Sequence, residues 1–321
     1  MVGVTNNQSQ LVSTRDGFGQ GLLEAAQDNQ AIIGLCADLT ESVRMNWFAQ
    51  MFPDRFIEVG VAEQNLVGLA AGLALAGKHP FAASYATFSP GNNWGPIRSS
   101  ICYSNLSVTL VGGHTGIAIG PDGATHQGLE DIALMRVLPN MTVVVPADRE
   151  EARKATKALS QLNSPSYLRI SKYEGPAVTA PDTPFELGTS IELRSGTDVC
   201  LIACGTMVST ALETASMLAK KNISAQVLNM HTIKPIDTKR LHSVFSHKKL
   251  VVSLEDHQVA GGLGSAIAEE VSQFSQKARL LRIGINDSFG QSGRAEELLE
   301  AYGLTAHQIT QAVIQSLNNN L

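Results

Sequence analysis

Ten short apolar runs, most of them separated by helix-length segments, limit what this chain can fold into. Six lie in the first half: AIIGLCAD (31–38), RFIEVG (55–60), HPFAASY (79–85), SVTLVGGH (107–114), MTVVVPA (141–147) and SYLRIS (166–171). Four follow: DVCLIACG (198–205), SAQVLNM (224–230), KLVVSLEDH (249–257) and ARLLRIGIN (278–286). Runs that are apolar almost throughout bury both faces, as the strands of a parallel sheet covered by helices do. Asp148 followed by Glu151 reads as a capping box opening one of those helices. Between the two sets lies EGPAVTAPDTPFE (174–186), rich in proline and without periodicity, which reads as a linker. The sequence therefore predicts an α/β protein of two domains, 1–180 and 187–321, each a mostly parallel sheet flanked by helices. At 321 residues and 44% hydrophobic content the chain can bury two cores.

Several classes of function are excluded by composition. A formal net charge of -5 with no basic run argues against a nucleic-acid partner. The opening MVGVTNNQSQ has neither the charged nor the apolar region of a signal peptide. The longest apolar run, residues 66–77, is too short to span a bilayer. Cys36, Cys102, Cys200 and Cys204 sit in apolar contexts, as reduced core cysteines of a cytoplasmic protein do, and their spacing offers no metal site.

Three stretches carry polar chemistry. In VGVAEQNLVGLAAG (59–72), Glu63 stands at the foot of a helix whose other residues are almost all apolar or small. A helix-dipole partner is the plain reading. The apolar flanks also suit a carboxyl kept from water, with raised proton affinity, and such groups are functional candidates. Gly68, Gly72, Ala70, Ala71 and Ala74 give that helix a thin face that another helix or a flat ligand can approach. The second stretch, GGHTGIAIGPDGATHQGLED (112–131), follows a strand, holds seven Gly or Pro, and interleaves His114, Asp122, His126 and Glu130. Long polar loops after parallel strands are where α/β proteins place their sites. The third, YATFSPGNNWGP (85–96), gathers Tyr85, Phe88 and Trp94 in a chain only 5% aromatic, as a platform for a flat ring would. Arg15, Ser42 and Lys172 lie near expected element ends.

These segments resemble the transketolases. FIEVGVAEQNLVGLAAGLALAG, ATF and HTGIAIGPDGATHQGLEDIALMRVLPNMTVVVPAD are similar to the family's pyrimidine-binding domain, and residues 187–321, with EDHQVAGGLGSAIAE, to its C-terminal domain. The 1-deoxyxylulose-phosphate synthases share the AEQ and DGxTH segments. The β subunits of 2-oxo acid dehydrogenases share a comparable glutamate but not the THQ loop. The GDG motif that anchors the cofactor's diphosphate and metal in full-length members is missing. The resemblance therefore implies the C-terminal section of a split transketolase, active only with an N-terminal-section subunit, which holds the diphosphate and its Mg2+ or Ca2+. It further implies a cytoplasmic α2β2 heterotetramer of carbohydrate metabolism, acting in the pentose phosphate pathway.

The same resemblance implies roles for individual residues. Glu63 matches the glutamate that shares a proton with N1′ of thiamine diphosphate. Phe88, Trp94 and Asp38 match residues at the cofactor. His126 matches a catalytic histidine at the reacting end of the substrate, and Asp122 an aspartate that reads the neighbouring hydroxyl. His114, Arg15, Ser42 and Lys172 match residues that bind the sugar phosphate. Lys172 stands where arginine is common, which exchanges a bidentate fork for a point charge. Gly91 stands where an aromatic is usual. The implied reaction is transfer of a two-carbon ketol unit from a ketose phosphate to an aldose phosphate. Deoxyxylulose-phosphate synthesis, 2-oxo acid decarboxylation and a non-catalytic sugar-phosphate-binding homologue are the alternatives.

Overall fold

The computed structural model describes residues 11–275 and 277–318. All ten apolar runs form strands, and all ten are in parallel ladders. A seven-stranded sheet has the order Thr232–Lys234, Thr142–Val144, Ser166–Arg169, Thr109–Gly113, His79–Tyr85, Ile32–Cys36, Phe56–Glu58. A five-stranded sheet has the order Arg279–Ile285, Leu250–Gln258, Val199–Ala203, Ala225–Asn229, Ile191–Arg194. Most of the central strands are buried along their whole length, which is why their sequences do not alternate. Leu11–Val12 and Gly175–Pro176 form a separate antiparallel pair, so the expected linker contains a short strand that returns to the start of the described chain.

Helices cover both faces of the sheets. On the first sheet, helix Glu63–Leu75 turns Leu66, Val67, Ala70 and Ala71 to the core and leaves Gln64, Asn65, Gly68, Gly72 and Leu75 exposed. Its small residues therefore point two ways: the alanines pack inward, and the two glycines open an outer surface with no neighbour within 4 Å of where a Cβ would lie. Helix Arg149–Leu159 begins at Asp148, whose side chain accepts from Glu151 N at 2.9 Å. The reciprocal half of the expected capping box differs. Glu151 reaches past the cap to Ala147 N (2.6 Å) and takes Asn229 Nδ2 (2.7 Å) from the second domain. The pull toward that buried amide outweighs the local cap geometry.

Strand Thr232–Lys234 is the main departure from two independent domains. It lies in the second half of the chain yet pairs antiparallel with Thr142–Val144 of the first sheet. Lys234 Nζ donates to the carbonyls of Arg136 and Leu138. Among the described residues no helix is long and apolar enough to cross a membrane, and the four cysteines are buried and free.

Candidate active site

Parallel strands all point their carboxyl ends the same way, so the loops after them meet along one rim. Here the chain passes from Ile32–Cys36 outward to Phe56–Glu58, then crosses back to His79–Tyr85 and Thr109–Gly113. The reversal opens a crevice between the ends of Ile32–Cys36 and His79–Tyr85. Register is unbroken there, from Ile32 opposite His79 to Cys36 opposite Ala83, and from Phe81 opposite Thr109 to Tyr85 opposite Gly113. Five neighbouring strands thus deliver, in spatial order, Lys172, His114, Tyr85 with Phe88, Asp38 with Ser42, and Glu63. At the usual strand spacing this row is roughly 19 Å across.

The centre of the row is aromatic. His114 lies against Tyr85 with ring centroids 3.7 Å apart, and Tyr85 stacks on Phe88 at 6.0 Å. His126 meets both edge-on, 5.4 Å from Phe88 and 6.2 Å from Tyr85. The two histidines and Phe88, apart in sequence, therefore share one cluster. Burial, with the Lys172 and Arg15 cations adding to it, holds His114 down at about pKa 3, so its imidazole is neutral. Its backbone has φ 53°, a left-handed conformation that turns the chain from the strand into the loop. His126 lies 2.9 Å from Thr125 Oγ1 through Nδ1, which leaves Nε2 for a ligand.

Around this cluster stand the polar groups. Lys172 Nζ donates to Asp122 Oδ2 at 2.6 Å. The two candidate substrate contacts are thus each other's partners, and an anion or a hydroxyl entering between them would exchange one bond for another. Arg15 Nη1 donates to Ser42 O at 3.3 Å, while its buried Nε has no partner. Tyr85 lies within hydrogen-bonding reach of Ser42. Arg15, Ser42, Tyr85 and His114 consequently line the same side of the crevice.

Glu63 occupies the other end. It is 9% exposed, and among the described residues nothing donates to its carboxylate. Its backbone is fixed by Asn93, whose Nδ2 donates to Glu63 O at 2.9 Å and to Ser89 Oγ at 3.1 Å. A carboxylate without a donor on a mostly buried residue fits a ring nitrogen that brings its own proton. Asp38 is exposed, with its amide donating to Glu58 Oε1 at 2.7 Å. Glu58 also takes Gly60 N (3.0 Å) and Thr40 Oγ1 (2.7 Å), so it ties two adjacent strand ends together. Sequence reasoning passed over Glu58, although its place in FIEVGVAEQ, five residues before Glu63, was a usable signal.

Trp94 is not brought into the cluster. Its indole Nε1 donates to Leu134 O at 2.8 Å, and its ring packs on the core beneath helix Glu63–Leu75. Gly91 has a local cause. A Cβ there would stand 1.7 Å from the Thr87 carbonyl, so no aromatic fits this backbone. Among the described residues no group of three or more His, Cys, Asp or Glu could hold a metal ion. The unpartnered carboxylate of Glu63 and the half-buried ring of Phe88 fit the pyrimidine end of thiamine diphosphate.

Comparison with known proteins gives the family. Residues 10–177 match the model of the transketolase pyrimidine-binding domain and residues 188–309 that of the transketolase C-terminal domain. A Methanocaldococcus jannaschii protein that carries the name transketolase C-terminal section is 40% identical over 94% of this chain and 96% of its own length. The 6-deoxy-6-sulfo-D-fructose transketolase subunit SqwH of a Clostridium species is 39% identical over 93% of this chain and 92% of its own. The 1-deoxy-D-xylulose-5-phosphate synthase of Carboxydothermus hydrogenoformans is 36% identical over 93% of this chain, but only 48% of that enzyme is covered. A split-gene transketolase solved as an inactive β4 tetramer superposes with a TM-score of 0.89 at 43% identity, covering 96% of this chain and 99% of that one. The chain belongs to the transketolase family of thiamine diphosphate enzymes, as a pyrimidine-binding domain followed by a C-terminal domain.

Proposed function

We propose that this chain is the C-terminal subunit of a split transketolase and that, joined to an N-terminal-section subunit, it transfers a two-carbon ketol unit from a ketose phosphate to an aldose phosphate. The observation that carries the reading is the row of strand ends, with an unpartnered, shielded carboxylate at one extreme and the His114, His126, Asp122 and Lys172 group at the other. Thiamine diphosphate, when bound, supplies the electron sink for breaking the carbon–carbon bond. Glu63 holds and returns the proton on the aminopyrimidine nitrogen, and Phe88 covers the ring. His126, through its free Nε2, moves a proton at the carbonyl and hydroxyl oxygens of the reacting end. Asp122 accepts from the neighbouring hydroxyl. Arg15, Ser42, Lys172 and neutral His114 take the anionic end of the sugar, with Lys172 as a point charge that does not demand a bidentate phosphate. Asp38 stands at the cofactor edge of the crevice.

The diphosphate and its Mg2+ or Ca2+ fall to the partner subunit. The exposed outer surface of helix Glu63–Leu75, with Gly68, Gly72 and the exposed side chains of Val61 and Leu75, supports self-association, giving α2β2 overall.

The test is co-purification with the N-terminal-section subunit, followed by a ketol-transfer assay with thiamine diphosphate and magnesium. Turnover is expected from the pair and not from this chain alone. Turnover by the single chain, or none from the pair with any ketose phosphate it binds, would overturn the reading. The identity to deoxyxylulose-phosphate synthases favours a second reaction, condensation with pyruvate as donor. Consumption of pyruvate by the pair would select it.

A further inference from the structure

The segment EDHQVAGG, although part of the C-terminal domain, reaches the loop that carries Asp122 and His126. That loop begins and ends at one point: Thr115 bridges Gly128, and Gly116 N donates to Gly128 O at 2.9 Å. What holds its interior comes from elsewhere. Asp256, 4% exposed in strand Leu250–Gln258, takes Ile117 N on Oδ1 at 2.8 Å and Ala118 N on Oδ2 at 3.4 Å. The fit excludes a side chain at residue 116. A Cβ there would lie 2.0 Å from Asp256 Oδ2, and the backbone has φ +84°. Two residues on, Gln258 N donates to Leu129 O at 2.9 Å.

A second element of the same domain holds the far side. Gln127 Nε2 donates to Gln291 O (3.0 Å) and to Ile117 O (3.3 Å). The approach is so close that a Cβ on Gly290 would stand 1.7 Å from Gln127 Oε1. Arg169 joins the pieces: Nη2 donates to Gly128 O at 3.1 Å and Asp256 O at 2.9 Å, while Nε pairs with Asp131 at 2.8 Å. None of these contacts is made by the side chain of Asp122 or His126.

We infer that Asp256 is a positioning residue of the active site, and that the C-terminal domain is the template on which the Asp122–His126 loop takes its binding shape. The inference rests on the functional reading above for its kinetic consequence, but not for its structural one. In Asp256→Asn the amide would turn a donor toward one of the two loop N–H groups, so one of them loses its acceptor. The loop then samples open forms, and groups displaced by about an ångström cost roughly 10 to 100-fold in productive binding.

Two measurements on full-length protein test this. Hydrogen exchange on the chain should show residues 116–128 of Asp256→Asn exchanging roughly tenfold or more faster, with helix Glu63–Leu75 and strand Val199–Ala203 unchanged. In the assembled complex, KM for the ketose donor should rise by roughly tenfold or more, while the thiamine diphosphate concentration for half-activation stays the same. Gly290→Ala, which displaces Gln127 without touching Asp256, should give the same pattern and serves if Asp256→Asn does not fold. Unchanged exchange in the loop, acceleration spread over the whole molecule, or parallel loss of cofactor and donor affinity would each overturn the inference. If the unmodified complex shows no ketol transfer, the functional reading fails, while the exchange result still decides whether Asp256 holds the loop.

Discussion

Glu63 shows how little of a residue's role follows from its position on a helix. A carboxylate in the first turn is favoured by the helix dipole wherever it points; this one is shielded and receives no donor from the described chain. Removing it therefore breaks no hydrogen bond of the fold. Glu63→Ala should lower ketol transfer of the assembled enzyme by roughly 100-fold or more, with the urea midpoint of the chain kept or slightly raised. Retention of near-normal turnover would remove Glu63 from the mechanism. The loop residues His114, Asp122 and His126 stood out in the sequence because polar side chains on a glycine-rich loop have few structural duties, and the structure sets His114 and His126 against Tyr85. Asp256 was not legible: it sits in an apolar strand, and its partners are backbone amides more than a hundred residues away. Trp94 misled through composition, since an aromatic beside a turn looks the same whether it faces a ligand or, as here, the core.

Among elements, the strands divide sharply. Every strand with a continuous apolar run was readable, and each has at least one parallel neighbour. The four that escaped notice, Leu11–Val12, Gly175–Pro176, Ile191–Arg194 and Thr232–Lys234, all pair antiparallel. They are two to four residues long and only partly buried in three cases, so they leave little hydrophobic signal. The helix start at Asp148 was readable for the opposite reason, because its cap is local. Yet the structure gives that side chain more to do. Besides Glu151 N, it accepts from Val178 N (2.7 Å), Thr179 N (2.6 Å) and Thr179 Oγ1 (2.7 Å), fastening the interdomain stretch to the helix. Asp148→Ala leaves these donors, one buried and three half-buried, without their acceptor and should cost about 2–4 kcal/mol, read as a lowered urea midpoint. A change under about 0.5 kcal/mol would mean that water replaces the carboxylate.

For the whole molecule, burial of ionisable groups sets the pH dependence. His79, His231 and His257 are held at about pKa 4 and His114 at about 3, all by loss of solvent. Each is neutral when folded and would take up a proton on unfolding below pH 6.5, so each destabilises the fold as pH falls toward its folded value. Glu151 and Glu255 act oppositely: burial raises both to about 7, and they release protons on unfolding at mildly acidic pH. Four histidines against two glutamates leave a net uptake of about two protons near pH 5 that shrinks toward zero by pH 7, so these six groups make stability climb with pH between 5 and 6.5, while the raised carboxyls of Glu130 and Asp256 work against that slope. The urea midpoint of the chain should rise over that range and level off near pH 7. A flat or falling profile would show that the buried carboxyls outweigh the histidines or that these histidines are charged inside the fold.

Thr232–Lys234 closes the first sheet with a strand borrowed from the second half of the chain. The apparent seam at the proline-rich stretch is therefore not a place to cut. A fragment stopped there would carry the whole cofactor-facing rim, yet would expose the hydrogen-bonding row of Thr142–Val144 to any strand that came along, an invitation to aggregate. On the reading proposed above, the division of the enzyme into two polypeptides and the division of this polypeptide into two lobes differ in kind: the first would be reversed by association, whereas the second is sewn shut.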